Sequence, residues 1–290
     1  MKFLVIGADG QLGTDLLKII PKKDAVPLTL KDLDITDRLK VNKVVQEYRP
    51  EVIINTAGYS RVDEAESNSG LAFAVNAEGA KNLAAACQEV EARLVHISTD
   101  YVFNGQKHSP YQETDRPEPL SVYARSKLAG EEAIAQLSKR HFIVRSSGLF
   151  GVAGCLGKGG GNFIDSVIAK GKSGEQFSVV DDQFFSPTYT LDLARKIYQL
   201  VQTDHFGLYH IVNRGACSWY ELALKAFELA GLKVNFSASK FAELNARTPA
   251  KRPTFSALDN ANLRAIGLDE LRPWQEALRA YMLEKGIVKQ

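Results

Sequence analysis

Tyr123-Ala124-Arg125-Ser126-Lys127 sets a phenol and an ammonium four residues apart. On a helix that spacing puts both groups on one face. A free tyrosine titrates near pH ~10. A cation held beside it favours the phenolate, and the phenol can then pass a proton to or from an alcohol oxygen. Upstream, an apolar run ends in Ser98-Thr99-Asp100-Tyr101. Hydroxyls at the C-terminal end of a parallel strand face the crevice where such sheets bind ligands. Taken alone, a YxxxK pair is an exposed Tyr and Lys on an ordinary helix, so its weight comes from its company.

That company begins at the N-terminus. Directly after Phe3-Leu4-Val5-Ile6 comes Gly7-Ala8-Asp9-Gly10-Gln11-Leu12-Gly13. The first glycine permits a tight turn, the second lets backbone approach a pyrophosphate, and the third allows close helix–strand packing. The helix that follows offers unpaired N–H groups and its positive dipole end to phosphates. Position after a strand and before a helix favours dinucleotide binding over a purely steric turn. The second strand ends near Leu28-Thr29-Leu30-Lys31, with Thr29 where NAD-preferring sites carry an acid. An absent carboxylate and the neighbouring Lys31 point to NADPH, with NADH still open. Asp32 to Ile35 are expected near the adenine.

These groups need a frame. Strand signals at residues 3–6, 26–30, 52–54, 93–97 and 142–144 alternate with helix signals near 12–20, 37–48, 70–90 and 123–138. Alternation of this kind gives right-handed βαβ units and a parallel sheet covered on both faces. The expected fold is α/β: a Rossmann-type doubly wound parallel sheet with a smaller C-terminal α/β substrate-binding region. Residues 1–147 form the expected NADP-binding domain, completed by parts of 177–213. Residues 148–176 and 214–290 form the substrate region. Glycine-rich Gly148 to Gly161 reads as the crossover. Helices near 190–203, 218–230 and 274–285 and strands near 177–180 and 208–212 follow.

Composition narrows the partners. The 290 residues carry 36 Lys plus Arg against 34 Asp plus Glu, a net charge of +2. That balance gives no electrostatic case for nucleic acid or an anionic membrane. Three scattered cysteines, Cys87, Cys155 and Cys217, lack zinc-ligand or disulfide-framework spacing, so no metal is assigned and a reducing, cytoplasmic location is expected. The N-terminus has no secretory pattern, and no run of eighteen apolar residues occurs.

The glycine loop, Ser98-Thr99-Asp100 and Tyr123-x-x-x-Lys127 together resemble the extended short-chain dehydrogenase/reductases. Asp34-Ile35-Thr36-Asp37, Asn55-Thr56-Ala57, Val62-Asp63-Glu64-Ala65-Glu66, Val75-Asn76, Asp182-Gln183, Pro187-Thr188, Ser218-Trp219 and Arg252-Pro253 bring the chain closer to the dTDP-4-dehydrorhamnose reductase family. The resemblance implies reduction of a 4-keto-6-deoxy sugar nucleotide. It makes Tyr123 the proton donor, and Lys127 the residue that holds the nicotinamide ribose and tunes Tyr123. Thr99 would hydrogen-bond the substrate carbonyl. Gly7, Asp9, Gly10, Gln11, Leu12, Gly13, Thr29, Asp34, Ile35, Ala57, Gly58, Tyr59, Asn76 and Ser98 would line the cofactor, Asn76 also supporting the proton path. Asp100, Tyr101, Asn162 and Arg252 would join Thr99 and Tyr123 around the substrate, Asn162 by the diphosphate. A homodimer is open. So are two other readings: a sugar-nucleotide epimerase, and a non-catalytic subunit like the methionine adenosyltransferase β subunit. One departure is Gly148, where the family carries a tryptophan against the sugar. An unfilled space is expected there; an aromatic restored at 148 is expected to tighten sugar binding if the loop keeps the family's path, and to strain the loop if Gly148 needs a positive φ. Trp219 is expected to pack in the core, Cys155 to be an incidental loop thiol, and Lys158 to belong to a local elaboration.

Overall fold

The computed structural model describes residues 1–154 and 159–289; Cys155 and Lys158 lie outside the described residues. Five strands, β1 (Phe3–Ile6), β2 (Ala25–Leu28), β3 (Val52–Asn55), β4 (Arg93–Thr99) and β5 (His141–Ser146), join an outer strand, Gly207–His210. All pair in parallel, in the order outer strand, β5, β4, β3, β1, β2. β1 and β3 are buried at every residue, which suits a sheet covered on both faces. β2 ends at Leu28, two residues before the expected Leu30. It is the edge strand, and there Pro27 costs no ladder hydrogen bond.

Alternate side chains feed two cores. Phe3 and Val5 face α1 (Gln11–Ile19) and α8 (Thr190–Leu200). Leu4 and Ile6 face α2 (Arg38–Tyr48), α5 (Gly79–Val90) and α6 (Val122–Leu137). Asp37 caps α2 by accepting from Lys40 N. A third core gathers α7 (Phe163–Ser173), α9 (Trp219–Ala230) and α12 (Trp274–Glu284). Short helices α10 (Phe241–Arg247) and α11 (Ala261–Ala265) complete the chain.

The single helix expected over 70–90 is corrected. α3 (Val62–Ser67) and α4 (Ser69–Phe73) precede a π-turn over Ala74–Glu78, which runs on into α5. The extra residue of a π-turn is a local distortion that tertiary contacts must support. Here the support is α6. A Cβ on Gly130 would lie 2.2 Å from the Asn76 carbonyl oxygen, so glycine lets the two helices meet at the π-turn. The meeting point lies one turn beyond Lys127 on the face of α6 that buries Ser126, Lys127, Gly130, Glu131 and Ile134. Gly130→Ala should therefore destabilise the protein by about 1–3 kcal/mol, the usual range for overpacking. Urea denaturation checks this, and a midpoint unchanged from the wild type would refute the contact.

Candidate active site

The phosphate loop has the shape its glycines foretell. Gly7 adopts φ +76°, and a Cβ there would lie 2.7 Å from Thr56 Oγ1 and 2.9 Å from Ala57 N. A Cβ on Gly13 would sit 2.2 Å from the Gly7 carbonyl oxygen. α1 starts after Gly10 with no side-chain cap, leaving its first N–H groups for an anion. The Gln11 Oε1 is buried without a partner. A cradle a Cβ would fill and an uncapped helix start fit a dinucleotide diphosphate.

The ribose corner corrects one premise. A carboxylate does stand at Thr29: Asp32 folds back and accepts from Thr29 N at 2.9 Å and Thr29 Oγ1 at 2.8 Å. Those bonds hold Asp32 below its ordinary carboxylate range. Asp34 is engaged with Thr36, and the Ile35 carbonyl accepts from Asn82. Asp9 is exposed in the loop and Leu12 is buried beneath it.

α6 brings the second group of expected residues to β4. Ser121 caps the helix by accepting from Ala124 N, and Glu66 on α3 accepts from Val122 N at 2.8 Å. A carboxylate at a helix start is favourable to the dipole, and it fixes the turn carrying Tyr123. Tyr123 and Tyr59 pack on the same small cluster of Ala65, Ala72 and Val122. Lys127, 5% exposed, reaches the end of β4, where Nζ donates to the Ile97 carbonyl at 2.5 Å. Burial lowers its pKa to about 8, against the opposing charge of Glu131. Asn76 clamps Tyr59, its Oδ1 accepting from Tyr59 N and its Nδ2 donating to the Tyr59 carbonyl and to Ser126 Oγ. Gly58 faces this clamp: a Cβ there would stand 3.2 Å from Asn76 Oδ1 and 3.8 Å from Lys127 Nζ.

Thr99 Oγ1 accepts from Tyr101 N and donates to Asp100 Oδ1 at 3.2 Å. The Tyr101 ring meets Tyr123 edge-on, with centroids 6.2 Å apart. The Asp100 carboxylate, expected at the substrate, is instead buried and taken by hydroxyls: its Oδ2 accepts from Ser147 at 2.8 Å and Ser256 at 2.5 Å. Burial pushes its pKa up to about 6. Asp100 thereby ties the ends of β4 and β5 to the C-terminal segment that carries Arg252. Arg252 donates to Asp63 at 2.6 Å and interacts with Tyr101. Asn162 is also committed, capping α7 while its Nδ2 donates to Tyr281 Oη and the Gly151 carbonyl.

Several residues here are additions to the sequence reading. Glu131 accepts the Ser98 hydroxyl and a two-pronged bond from Arg145, whose Nη2 lies at 2.6 Å; both charges are buried. Its i+4 spacing from Lys127 was the available signal. His96 and Asn55, described below, gave none beyond the Asn55-Thr56-Ala57 signature.

Gly148 needs a further correction. It has φ +53°, and a Cβ there would lie 2.3 Å from the Phe185 ring. The expected empty space is thus occupied. Phe185 stacks on Trp219 with centroids 3.9 Å apart, and Trp219 donates its indole N–H to Gln183 Oε1 at 3.0 Å. Trp219 is half-buried, packed also against Phe163. An aromatic at 148 would collide rather than fill.

A parallel sheet with a glycine loop at β1 and a Tyr–Lys helix at β4 defines an extended short-chain dehydrogenase/reductase. Comparison with known proteins is consistent with that class. Residues 1–286 match the family model described as RmlD substrate binding domain. The chain is 40% identical over 288 residues to a dTDP-4-dehydrorhamnose reductase of Streptomyces griseus, covering 96% of this chain and 91% of that protein. It is 36% identical to the spore coat polysaccharide biosynthesis protein SpsK of Bacillus subtilis, covering 98% of each. The crystal structure of dTDP-4-dehydrorhamnose reductase from Bacillus anthracis in complex with NADP superposes with a TM-score of 0.92 at 41% identity, covering 98% of this chain and all of that one. The chain belongs to the RmlD family, the dTDP-4-dehydrorhamnose reductases, and is an oxidoreductase.

Gly148→Ala should lose about 2–4 kcal/mol of stability, from overpacking against Phe185 plus the cost of a Cβ in the left-handed region. Denaturant melts measure it. Unchanged stability would show that Phe185 moves aside freely.

Proposed function

We propose that this protein reduces the C4 ketone of a dTDP-4-keto-6-deoxy sugar, forming dTDP-L-rhamnose or a near relative, with NADPH as cofactor and NADH accepted. The observation that supports the reading is that Lys127, one turn from Tyr123 on α6, reaches Ile97 near the end of β4, while the Tyr123 ring meets Tyr101, two residues past Thr99. Relatives of this length and identity named for that reaction support it.

The loop Gly7 to Gly13 would hold the diphosphate, Asp34 and Ile35 would border the adenine, and Ala57, Gly58 and Tyr59 would line the nicotinamide half. When bound, the nicotinamide supplies the hydride. Tyr123 donates the proton that neutralises the new C4 oxygen. Lys127 keeps positive charge beside that phenol and reaches the ribose. Thr99 has a single proton, turned to Asp100 in this structure, and must release that long bond to stabilise the developing oxyanion. Arg252, drawn from its pairing with Asp63, supplies a cation for the sugar nucleotide. Ser98 acts from below, anchored on Glu131. No helix among the described residues is long and apolar enough to cross a membrane, and no group of three His, Cys, Asp or Glu there could hold a metal.

Mixing the protein with NADPH and dTDP-4-keto-6-deoxy-L-mannose should give net loss of nicotinamide absorbance, one cofactor per sugar. An epimerase would show no net loss, and a purely regulatory subunit no turnover at all. Tyr123→Phe should cost on the order of 10²–10⁴-fold in kcat with NADPH still bound, measured by fluorescence titration; near-normal turnover would remove Tyr123 as donor. At the ribose corner, Asp32 and Lys31 present opposite charges. Asp32→Asn should raise the NADPH-to-NADH ratio of kcat/KM by about tenfold, because a like charge near the 2′-phosphate is removed. An unchanged ratio would place Asp32 away from the 2′ position.

A further inference from the structure

A chain of side chains runs from the end of β3 to the catalytic helix, and the direction of every hydrogen bond in it is fixed from one end. The Ala57 backbone N–H can only donate, and it meets Asn55 Oδ1 at 3.1 Å. Asn55 Nδ2, also only a donor, is then left facing His96 Nδ1 at 3.1 Å. Nδ1 must accept, so the neutral ring carries its proton on Nε2. His96 is 1% exposed, and burial together with the charge of Lys127 holds it neutral. Its Nε2 lies 3.3 Å from Lys127 Nζ.

The two forms of Lys127 meet that N–H differently. An ammonium sets donor against donor. An amine offers its lone pair and completes the chain. The other partner, the Ile97 carbonyl, accepts from either form. Reversing the chain would require Asn55 to flip, turning its NH₂ on the Ala57 N–H in a buried place where an unmade bond costs about 1–3 kcal/mol.

We propose that His96 is a positioning residue acting through Lys127: its Nε2–H, oriented by the Ala57 N–H through Asn55, favours the amine and sets how readily the charge beside Tyr123 is given up. Other groups approach Lys127 from each neighbouring element. The loop after β3 offers Gly58, without a side chain, and Tyr59. β4 offers His96 and the Ile97 carbonyl. α6 itself offers Tyr123 and Glu131, and Glu131 favours the ammonium. Arg145 and Ser98 share that carboxylate, and His96 Nε2 lies within hydrogen-bond distance of Nζ. Burial lowers a lysine whatever the tautomer of its neighbour; the tautomer is what this chain adds.

The inference rests on Lys127 lying in the proposed site, but its test needs no substrate. Long-range ¹H–¹⁵N spectra of the full chain should show His96 as the neutral Nε2–H tautomer; the Nδ1–H tautomer would overturn the proposal. The Lys127 ¹³Cε signal, assigned by its loss in Lys127→Arg, should titrate near pH 8. In the isosteric Asn55→Asp variant the carboxylate can accept from both Ala57 N and an Nδ1–H. His96 should then change tautomer and Lys127 should hold its proton about tenfold more tightly. A tighter lysine without the tautomer change would mean that added charge alone acts, and would overturn the proposal, as would no shift at all. If Asn55→Asp does not fold, the wild-type tautomer decides. Absence of turnover on any sugar nucleotide would refute the function proposed above and leave these spectra as they are.

Discussion

Burying the amino group of Lys127 is the constraint around which this candidate site is built. A lysine almost never sits fully inside a protein unless specific partners replace its water. Here the Ile97 carbonyl accepts from it and the His96 ring lies against it, both on β4. α6 delivers the group to the sheet while Gly130 lets the same helix pack closely on the π-turn at the Asn76 carbonyl. The π-turn at Asn76 and the clamp of Asn76 on the Tyr59 backbone adjoin the same helix.

A second tier of buried polar groups holds the strand ends that face the crevice. Glu131 and Arg145 form an enclosed ion pair whose carboxylate also takes the Ser98 hydroxyl, so α6, β4 and β5 are joined one turn beyond Lys127. Removing one partner of such a pair is far more costly than the pair is stabilising, commonly about 3–5 kcal/mol. Asp100 does the same above, with Ser147 and Ser256, and brings the C-terminal segment onto the nucleotide-binding half. Both carboxylates adjoin a hydroxyl proposed to serve the reaction. Rigidity and chemistry thus share the same few atoms.

The parallel sheet, the tight glycine turn after β1 and the shared helix of Tyr123 and Lys127 were legible in the sequence because each rests on local pattern: apolar runs, glycine spacing and an i, i+4 pair. The π-turn was not, since the 70–90 segment has an ordinary helical pattern and the contact of Asn76 with Gly130 comes from a distant part of the chain. Asp32 was misjudged because a turn folds it back onto Thr29, three residues earlier, where linear position puts it past the ribose. Phe185 was invisible for another reason. It fills the space at Gly148 from 37 residues away, and nothing near either residue announces the other. His96 reads as a lone histidine in a strand, whose role depends on Asn55 and Lys127 from two other elements.

The central claim is that this site reduces a sugar ketone at C4. Nicotinamide cofactor deuterated at the transferable position, mixed with the dTDP-4-keto-6-deoxy sugar, tests it most directly by mass and NMR analysis of the sugar produced. The account predicts one deuterium, on C4, for each cofactor oxidised. Sugar recovered without label, or epimerised with the cofactor unconsumed, would contradict it.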